Sequence, residues 1–127
     1  CLMSKDGLII AINNPLAEVA GHDCAWFIGH PFRRLIDAVM SKFILFEGEP
    51  VEQTEEWADH IAKTMAAGTG KSVEVKMTTG EWVLITLDAT SLGGQSAVST
   101  DISLQKRVEE ELRESEVHFR TLVENHG

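Results

Sequence analysis

The sequence changes its periodicity once, at Asp101, and this change limits the folds that the chain can adopt. Before Asp101 the apolar residues fall in short segments that turn residues separate. After it a charged helical pattern runs unbroken to about Asn125. Asp101 and Ser103 flank Ile102, and both side chains can accept hydrogen bonds from the free N–H groups of a helix start. This chemistry suits a rigid joint between a globular unit and a helix, but on spacing alone a simple N-cap without any signalling role is the favoured interpretation.

The predicted helix carries an apolar stripe with the spacing of a coiled-coil seam. Its positions recur at intervals of 4, 3, 4 and 3 residues, namely Val108, Leu112, Ser115, Phe119 and Leu122. Ser115 interrupts the stripe and weakens packing there. Because the stripe spans fewer than three heptads, we expect a marginal dimer unless the globular unit supports it. The sequence therefore predicts a homodimer in which this stripe is the dimer helix contact.

Composition excludes several classes of protein. The 127 residues fit one domain, residues 1–101, followed by an amphipathic signalling or coiled-coil linker helix, residues 102–127. The net charge of −9 argues against nucleic acid or an anionic membrane as a partner. No apolar run reaches the length of a membrane span and no signal-peptide pattern occurs, so we expect no membrane insertion and a cytoplasmic location. The chain opens in an apolar run and ends just after a helical pattern, so we expect it to be part of a longer protein.

The first half of the chain predicts two strands and several short helices. Strand patterns at residues 1–4 and 8–12 flank a Lys5-Asp6-Gly7 turn. A short helix follows from Asn13 to Gly21, and residues 22–46 are predicted as a run of short helices. In this interpretation the apolar residues near Phe43 extend the helical region.

The second half predicts one helix and a β-meander. Residues 47–59 hold six carboxylates and no basic residue. A solvated loop is the favoured interpretation, and a weak divalent-cation site is the alternative. A helix from about Glu55 to Ala67 presents a buried stripe at Trp57, Ile61 and Met65. Strands follow near residues 73–77, 82–90 and 96–100, and small side chains in the last one leave room for a ligand or a helix beside it.

Together these features resemble a PAS domain, the sensor module of bacterial signalling proteins. The resemblance covers residues 1 to about 112 and rests on Asp6-Gly7, Asn13, Gly21, Ile28-Gly29, Gly80-Glu81-Trp82, Gly93-Gly94, Thr100-Asp101-Ile102-Ser103, Lys106, Glu109, Glu111 and Leu112. The family usually has Thr where this chain has Ser103, and the hydroxyl is retained. Residues 114–124 resemble the opening of a following PAS repeat. That implies a tandem array within a larger sensor, such as a histidine kinase or a diguanylate cyclase.

The resemblance implies an α+β fold with a five-stranded antiparallel sheet in the order 2-1-5-4-3. Short helices would lie on one face of the sheet, with a pocket between them, and a long C-terminal helix would leave the domain. In the family the residues equivalent to Asp101, Ile102 and Ser103 couple the sheet to this helix. The expected partners are neighbouring PAS and output domains of the same chain.

Two hypotheses for the domain itself stay open. In the first it is a sensory module whose pocket ligand changes the packing of the exit helix. In the second it is a structural dimerisation or relay module with a filled core. A cavity lined by one set of core residues would favour the first hypothesis, and a core filled by the same side chains would favour the second. These residues are Ile36, Val39, Trp57, Ile61, Val75, Ile85 and Val98.

The sequence does not identify a cofactor. The reactive-cysteine motif of the flavin-binding branch is absent, and Cys24 lies in another context, so we do not predict flavin. The haem-binding branch uses a His on the helix before the last three strands, where this chain has His60, but a surface histidine is the favoured interpretation. The histidines show no metal-ligand spacing, and Cys24 with His22 forms at most half a metal site. A small apolar or amphipathic metabolite in the pocket and a fully packed core without a ligand are the remaining alternatives.

A catalytic role is not expected. No nucleophile–base motif, phosphate-binding loop or metal-ligand cluster occurs in the sequence. Asp23 or Asp37 could act as a base near a pocket, but any small domain offers such carboxylates. We therefore predict a non-enzymatic domain, with any kinase or cyclase activity residing in an output domain of the longer protein.

Overall fold

The chain folds into an α+β structure built on one antiparallel sheet. The computed structural model describes the backbone of residues 1–125 and the side chains of residues 1–118 and Arg120. The strands are β1 (Leu2–Met3), β2 (Ile9–Ala11), β3 (Phe43–Phe46), β4 (Glu49–Pro50), β5 (Ser72–Met77), β6 (Trp82–Ala89) and β7 (Gln95–Asp101). The helices are α1 (Asn14–Val19), α2 (Cys24–Phe27), α3 (Phe32–Val39, followed by a 3₁₀ turn at Met40–Lys42), α4 (Glu55–Ala67) and α5 (Ser103–Asn125).

The sheet has seven strands in the order β2-β1-β7-β6-β5-β3-β4, and each neighbouring pair is antiparallel. The prediction of five strands in the order 2-1-5-4-3 is therefore wrong in its strand count and in the order of the complete sheet. The difference is the hairpin of β3 and β4, which lies beyond β5 at one edge. Phe46 pairs with Val75 there, so a segment predicted as helix is a strand.

The turn between β3 and β4 explains why this hairpin was missed. Glu47 and Gly48 have φ angles of 52° and 80°, and two successive residues with positive φ form the tight turn that suits an antiparallel hairpin. Glycine and asparagine are the usual sequence signals for such a turn, and glutamate at its first position is not among them. The short apolar run before it fits a helix and a strand equally well.

Side-chain caps define the starts of two helices. Asn13 Oδ1 accepts a hydrogen bond from the N–H of Leu16 at 3.0 Å and begins α1. Thr54 Oγ1 accepts one from the N–H of Trp57 at 3.2 Å and begins α4. Each bond satisfies a donor that the first helical turn leaves free, so these helices start where the sequence predicts.

The core lies between one face of the sheet and helices α1 to α4. Alternate residues of the central strands face this core, as the buried Ile85 and Leu87 of β6 do, while Leu84 and Thr86 face the other side. The most deeply buried large side chains come from both layers, namely Phe27, Phe46, Ile9, Ile36, Ile61, Leu87 and Val75. None of the helices within residues 1–125 combines the length and apolar character that crossing a membrane requires.

Candidate ligand cavity and its link to the C-terminal helix

A cavity of about 340 Å³ lies inside the core, between the helices and the sheet, and is partly open to solvent. Its volume falls within the range of small-molecule sites. The apolar wall is formed by helical residues Leu16, Phe32, Leu35, Ile36, Val39 and Met65 and by strand residues Phe43, Val75, Met77, Val83, Ile85 and Ala97. Such a wall binds apolar surface without orienting it strongly, so polar groups at the rim must supply any selectivity.

Five of the seven predicted pocket residues line this cavity, namely Ile36, Val39, Val75, Ile85 and Val98. The side chain of Val98 is 55% exposed, because alternation along β7 places Ala97 and Ser99 on the cavity side. Val98 therefore borders the cavity mainly through its backbone.

The other two predicted pocket residues, Trp57 and Ile61, do not line the cavity. Ile61 is fully buried in the core, and Trp57 is half-buried beside the ring of His60. Helix α4 reaches the cavity only one turn further on, at Met65. The wall residues Phe32 and Leu35 of α3 were not assigned to the pocket, although their helical spacing already indicated a core-facing side.

The start of α5 is bonded to the first residue of β6. The N–H of Trp82 donates to Ser103 Oγ at 2.9 Å, and the carbonyl oxygen of Trp82 accepts from the N–H of Ile102 at 2.9 Å. The N–H of Ser103 donates to Asp101 Oδ1, also at 2.9 Å. The three residues predicted to couple sheet and helix thus lie together, and two of them contact a single residue of β6.

A lysine one turn into α5 adds a second attachment. Lys106 Nζ lies 2.7 Å from Glu74 Oε2 on β5 and 5.0 Å from the centre of the Trp82 ring. A half-buried ion pair with a cation–π contact holds the helix more firmly than an isolated surface pair would. We use the name α5 anchor for the contacting set Trp82, Glu74, Asp101, Ile102, Ser103 and Lys106.

The cavity and the α5 anchor meet in β6. Val83 lines the cavity, and the preceding residue, Trp82, carries the backbone bonds to α5. Successive residues of a strand point to opposite faces of the sheet. A displacement of Val83 by something in the cavity would therefore move the attachment point of α5 on the other side.

Lowering the pH is expected to loosen this helix start. Hydrogen bonds from the hydroxyl and then from the N–H of Ser103 hold the pKa of Asp101 below its usual value. Stability from this cap is therefore fully present above the ordinary aspartate pKa of about 3.9 and is lost as pH falls through the lower folded value. An NMR titration of the Ser103 amide measures this directly. A midpoint at or above the ordinary value would contradict the cap.

The candidate metal and haem residues lie away from the cavity. His60 is exposed and meets the rings of Trp57 and Phe46 edge-on at 5.3 and 6.1 Å. His22 stacks on Trp26 at 3.6 Å, while Cys24 Sγ donates to the carbonyl oxygen of Ile12. Within the described part of the chain, no three His, Cys, Asp or Glu side chains come together as metal ligands would. His60 therefore does not border the space in which a haem would have to lie.

The predicted dimer stripe is exposed where its side chains are described. Val108 is 54% and Leu112 59% exposed, and Leu104 extends the stripe toward the domain. Phe119 and Leu122, the other two predicted dimer residues, lie outside the described side chains. An exposed row of aliphatic side chains on a charged helix is typical of an association surface.

The fold and the site together define an α+β domain with an apolar cavity and an anchored exit helix. Comparisons with protein families, curated proteins and solved structures found no match to this chain. The resemblance to PAS domains therefore stays a prediction from sequence motifs.

Proposed function

We propose that this chain is a non-catalytic PAS-type sensory module that reports the occupancy of its cavity through α5. The observation that carries the proposal is the adjacency of Val83, in the cavity wall, and Trp82, in the α5 anchor. In this proposal the domain belongs to a longer cytoplasmic signalling protein, of the histidine kinase or diguanylate cyclase type. Its neighbours there are further PAS domains and an output domain.

The proposed mechanism begins with the unfilled space in the core. Close-packed protein interiors hold few voids larger than a water molecule, whereas this domain has space for several. A ligand that fills the space would press on the strand segment around Val83 and Ile85. Packed sheets move as units rather than deforming locally, so the attachment of α5 at Trp82 would shift with that segment.

The rigidity of the α5 anchor makes this shift transmissible. Two hydrogen bonds to the backbone of Trp82 and the Lys106–Glu74 ion pair fix both the position and the direction of the first turns of α5. A helix held in this way would convert a small displacement at its start into a tilt or rotation along its length. A flexible linker would lose the same displacement.

Xenon is a suitable probe for the first step of this mechanism, since it enters apolar cavities and has no head group. Under xenon pressure, we expect saturable NMR shifts at the methyl groups of Val83 and Ile85. Ala97→Leu, which enlarges a side chain in the wall, should remove these shifts while the thermal melt confirms folding. Exposed Leu92 supplies the reference methyl groups. Shifts at Leu92 equal to those at Val83 would indicate surface contact only and would contradict a ligand cavity.

A structural dimerisation and relay module is the second candidate function. The specific observation in its favour is the exposed stripe of Leu104, Val108 and Leu112 on α5. In this alternative two copies pair along the stripe and pass on a change that is sensed elsewhere. The cavity would then have no ligand.

The dimer has its own test. We expect the domain to sediment as a dimer at high concentration, and Leu112→Glu to raise the dimer dissociation constant at least about tenfold by placing a charge in the stripe. Arg107→Gln is the matched control, because it changes the net charge by the same amount on another side of the helix. If both variants sediment as the parent does, the stripe is not the dimer contact.

A further inference from the structure

The side chains at the rim of the cavity carry one sign of charge. Glu81 lines the cavity next to the α5 anchor, and the other polar rim residues, Asn13, Ser99 and Cys1, have neutral side chains. No lysine, arginine or histidine occurs among the described residues that line it. The amino group of Cys1 donates to the carbonyl oxygen of Ala97 at 2.9 Å, and burial lowers its pKa, so it carries less positive charge than an exposed amine would. The rim therefore offers a carboxylate an unfavourable environment.

The charge of Glu81 is not neutralised nearby. The described ion pairs join Arg33 to Asp37 and Asp59, and Lys106 to Glu74, and none of them includes Glu81. Lys106 is committed to the opposite face of the sheet. The net charge of −9 adds a general repulsion of anions. An anionic head group in the mouth would meet repulsion without a compensating partner.

The cavity also limits the size of its occupant. At about 30 Å³ for each non-hydrogen atom, which is the share of one molecule in liquid water, roughly eleven such atoms fit. The wall that the helices and strands provide is aliphatic and aromatic except at Ser99. A single linear or branched hydrocarbon chain of about eight carbons with one small head group therefore matches both volume and chemistry.

The geometry points to a ligand class: a neutral or cationic amphipath of about this size, with its hydrocarbon chain inside and its head group beside Glu81. The corresponding carboxylic acids, which are anions at neutral pH, should bind more weakly. This inference rests on the proposed function, because it assigns the head group that the same cavity would accept. It also gives Glu81 a role as a specificity-determining residue.

A matched series of probes tests the inference. 1-Octanol, octylamine and octanoate share one chain length and differ in head group charge. Their dissociation constants are measured by calorimetry and by displacement of xenon from the methyl shifts of Val83 and Ile85. We expect octanol and octylamine to bind at least about tenfold more tightly than octanoate at low salt.

Two variants of Glu81 sharpen this test. Glu81→Lys should improve octanoate binding by about tenfold and weaken octylamine binding, since it replaces repulsion by attraction. Octanol binding should change by less than about twofold, because its head group carries no charge. Glu81→Gln should place all three ligands within about threefold of one another. Glu81 is exposed, so these variants should fold as the parent does.

The outcomes separate this inference from the proposed function. If xenon binds and octanoate binds as tightly as octanol in both the parent and Glu81→Lys, the head group inference is wrong and the cavity still binds ligands. If neither xenon nor any of the three amphipaths shifts the methyl groups of Val83 and Ile85, both are wrong. The inference is supported if the parent binds octanol and octylamine more tightly than octanoate, and if Glu81→Lys binds octanoate more tightly than octylamine.

Discussion

Gly94→Ala is expected to destabilise the domain by about 3 kcal/mol, because there is no space for a side chain at this position. A Cβ atom on Gly94 would lie 1.9 Å from the carbonyl oxygen of Met3. The obstacle is backbone, so the clash cannot be relieved by rotating a side chain. Strand β1 would have to move away from β7, to which Leu2 and Met3 pair. Since Cys1 and Ala97 line the cavity at this junction, the cavity would change shape as well.

Urea unfolding of Gly94→Ala and Gly93→Ala measures this effect against a matched control. Gly93 has a φ of 86°, but a Cβ there would find only the side chain of Lys5, at 3.7 Å. Gly93→Ala should therefore cost only the backbone strain, about 1 kcal/mol. Equal losses of stability in the two variants would contradict the close approach of β1 at Gly94.

Phe27→Ala is expected to cost about 3–5 kcal/mol, the range for removing a fully buried aromatic side chain. Phe27 is 0% exposed and meets the ring of Trp26 edge-on at 5.0 Å. Helix α2 has only four residues, too few to hold its own shape without this burial. Loss of Phe27 should therefore also release the segment between α1 and α3, two helices whose own residues line the cavity.

The neighbouring residue supplies the control. Ile28 is 47% exposed, so Ile28→Ala should cost less than about 1 kcal/mol. Chemical denaturation of both variants gives the two free energies of unfolding, and near-ultraviolet circular dichroism follows Trp26. A loss at Phe27 no larger than that at Ile28 would mean that α2 does not help to close the core.

The sequence predicts those elements whose signals are local. Thr54 and Gly68 enclose α4, and the cap of Thr54 on Trp57 forms as its position suggests. The strands β5 and β6 follow from alternation, because one buried face requires a period of two. The antiparallel α+β class follows from these elements. The hairpin at Phe43 does not follow, since a glutamate with positive φ gives no usual turn signal.

The residues of the candidate site also fall into those that local sequence patterns predict and those that they do not. Val75 and Ile85 lie in the cavity wall because strand alternation fixes which face they occupy. Trp57 and Ile61 were misplaced because periodicity shows which side of α4 is apolar but not which part of the core that side meets. The contact of Lys106 with Glu74 joins residues that are distant in sequence. It depends on how β5 and β6 lie beneath α5, which no local pattern specifies.

Amide hydrogen exchange of Ile102 measures whether occupancy of the cavity changes the structure at the start of α5. The N–H of Ile102 donates to Trp82, and the N–H of Ala58 in α4 provides an internal reference. With the cavity filled by xenon, we expect the exchange rate of Ile102 to change by about tenfold relative to that of Ala58. An unchanged ratio, in a sample whose Val83 methyl shifts prove that xenon has bound, would contradict the coupling and leave α5 as a dimerisation helix alone.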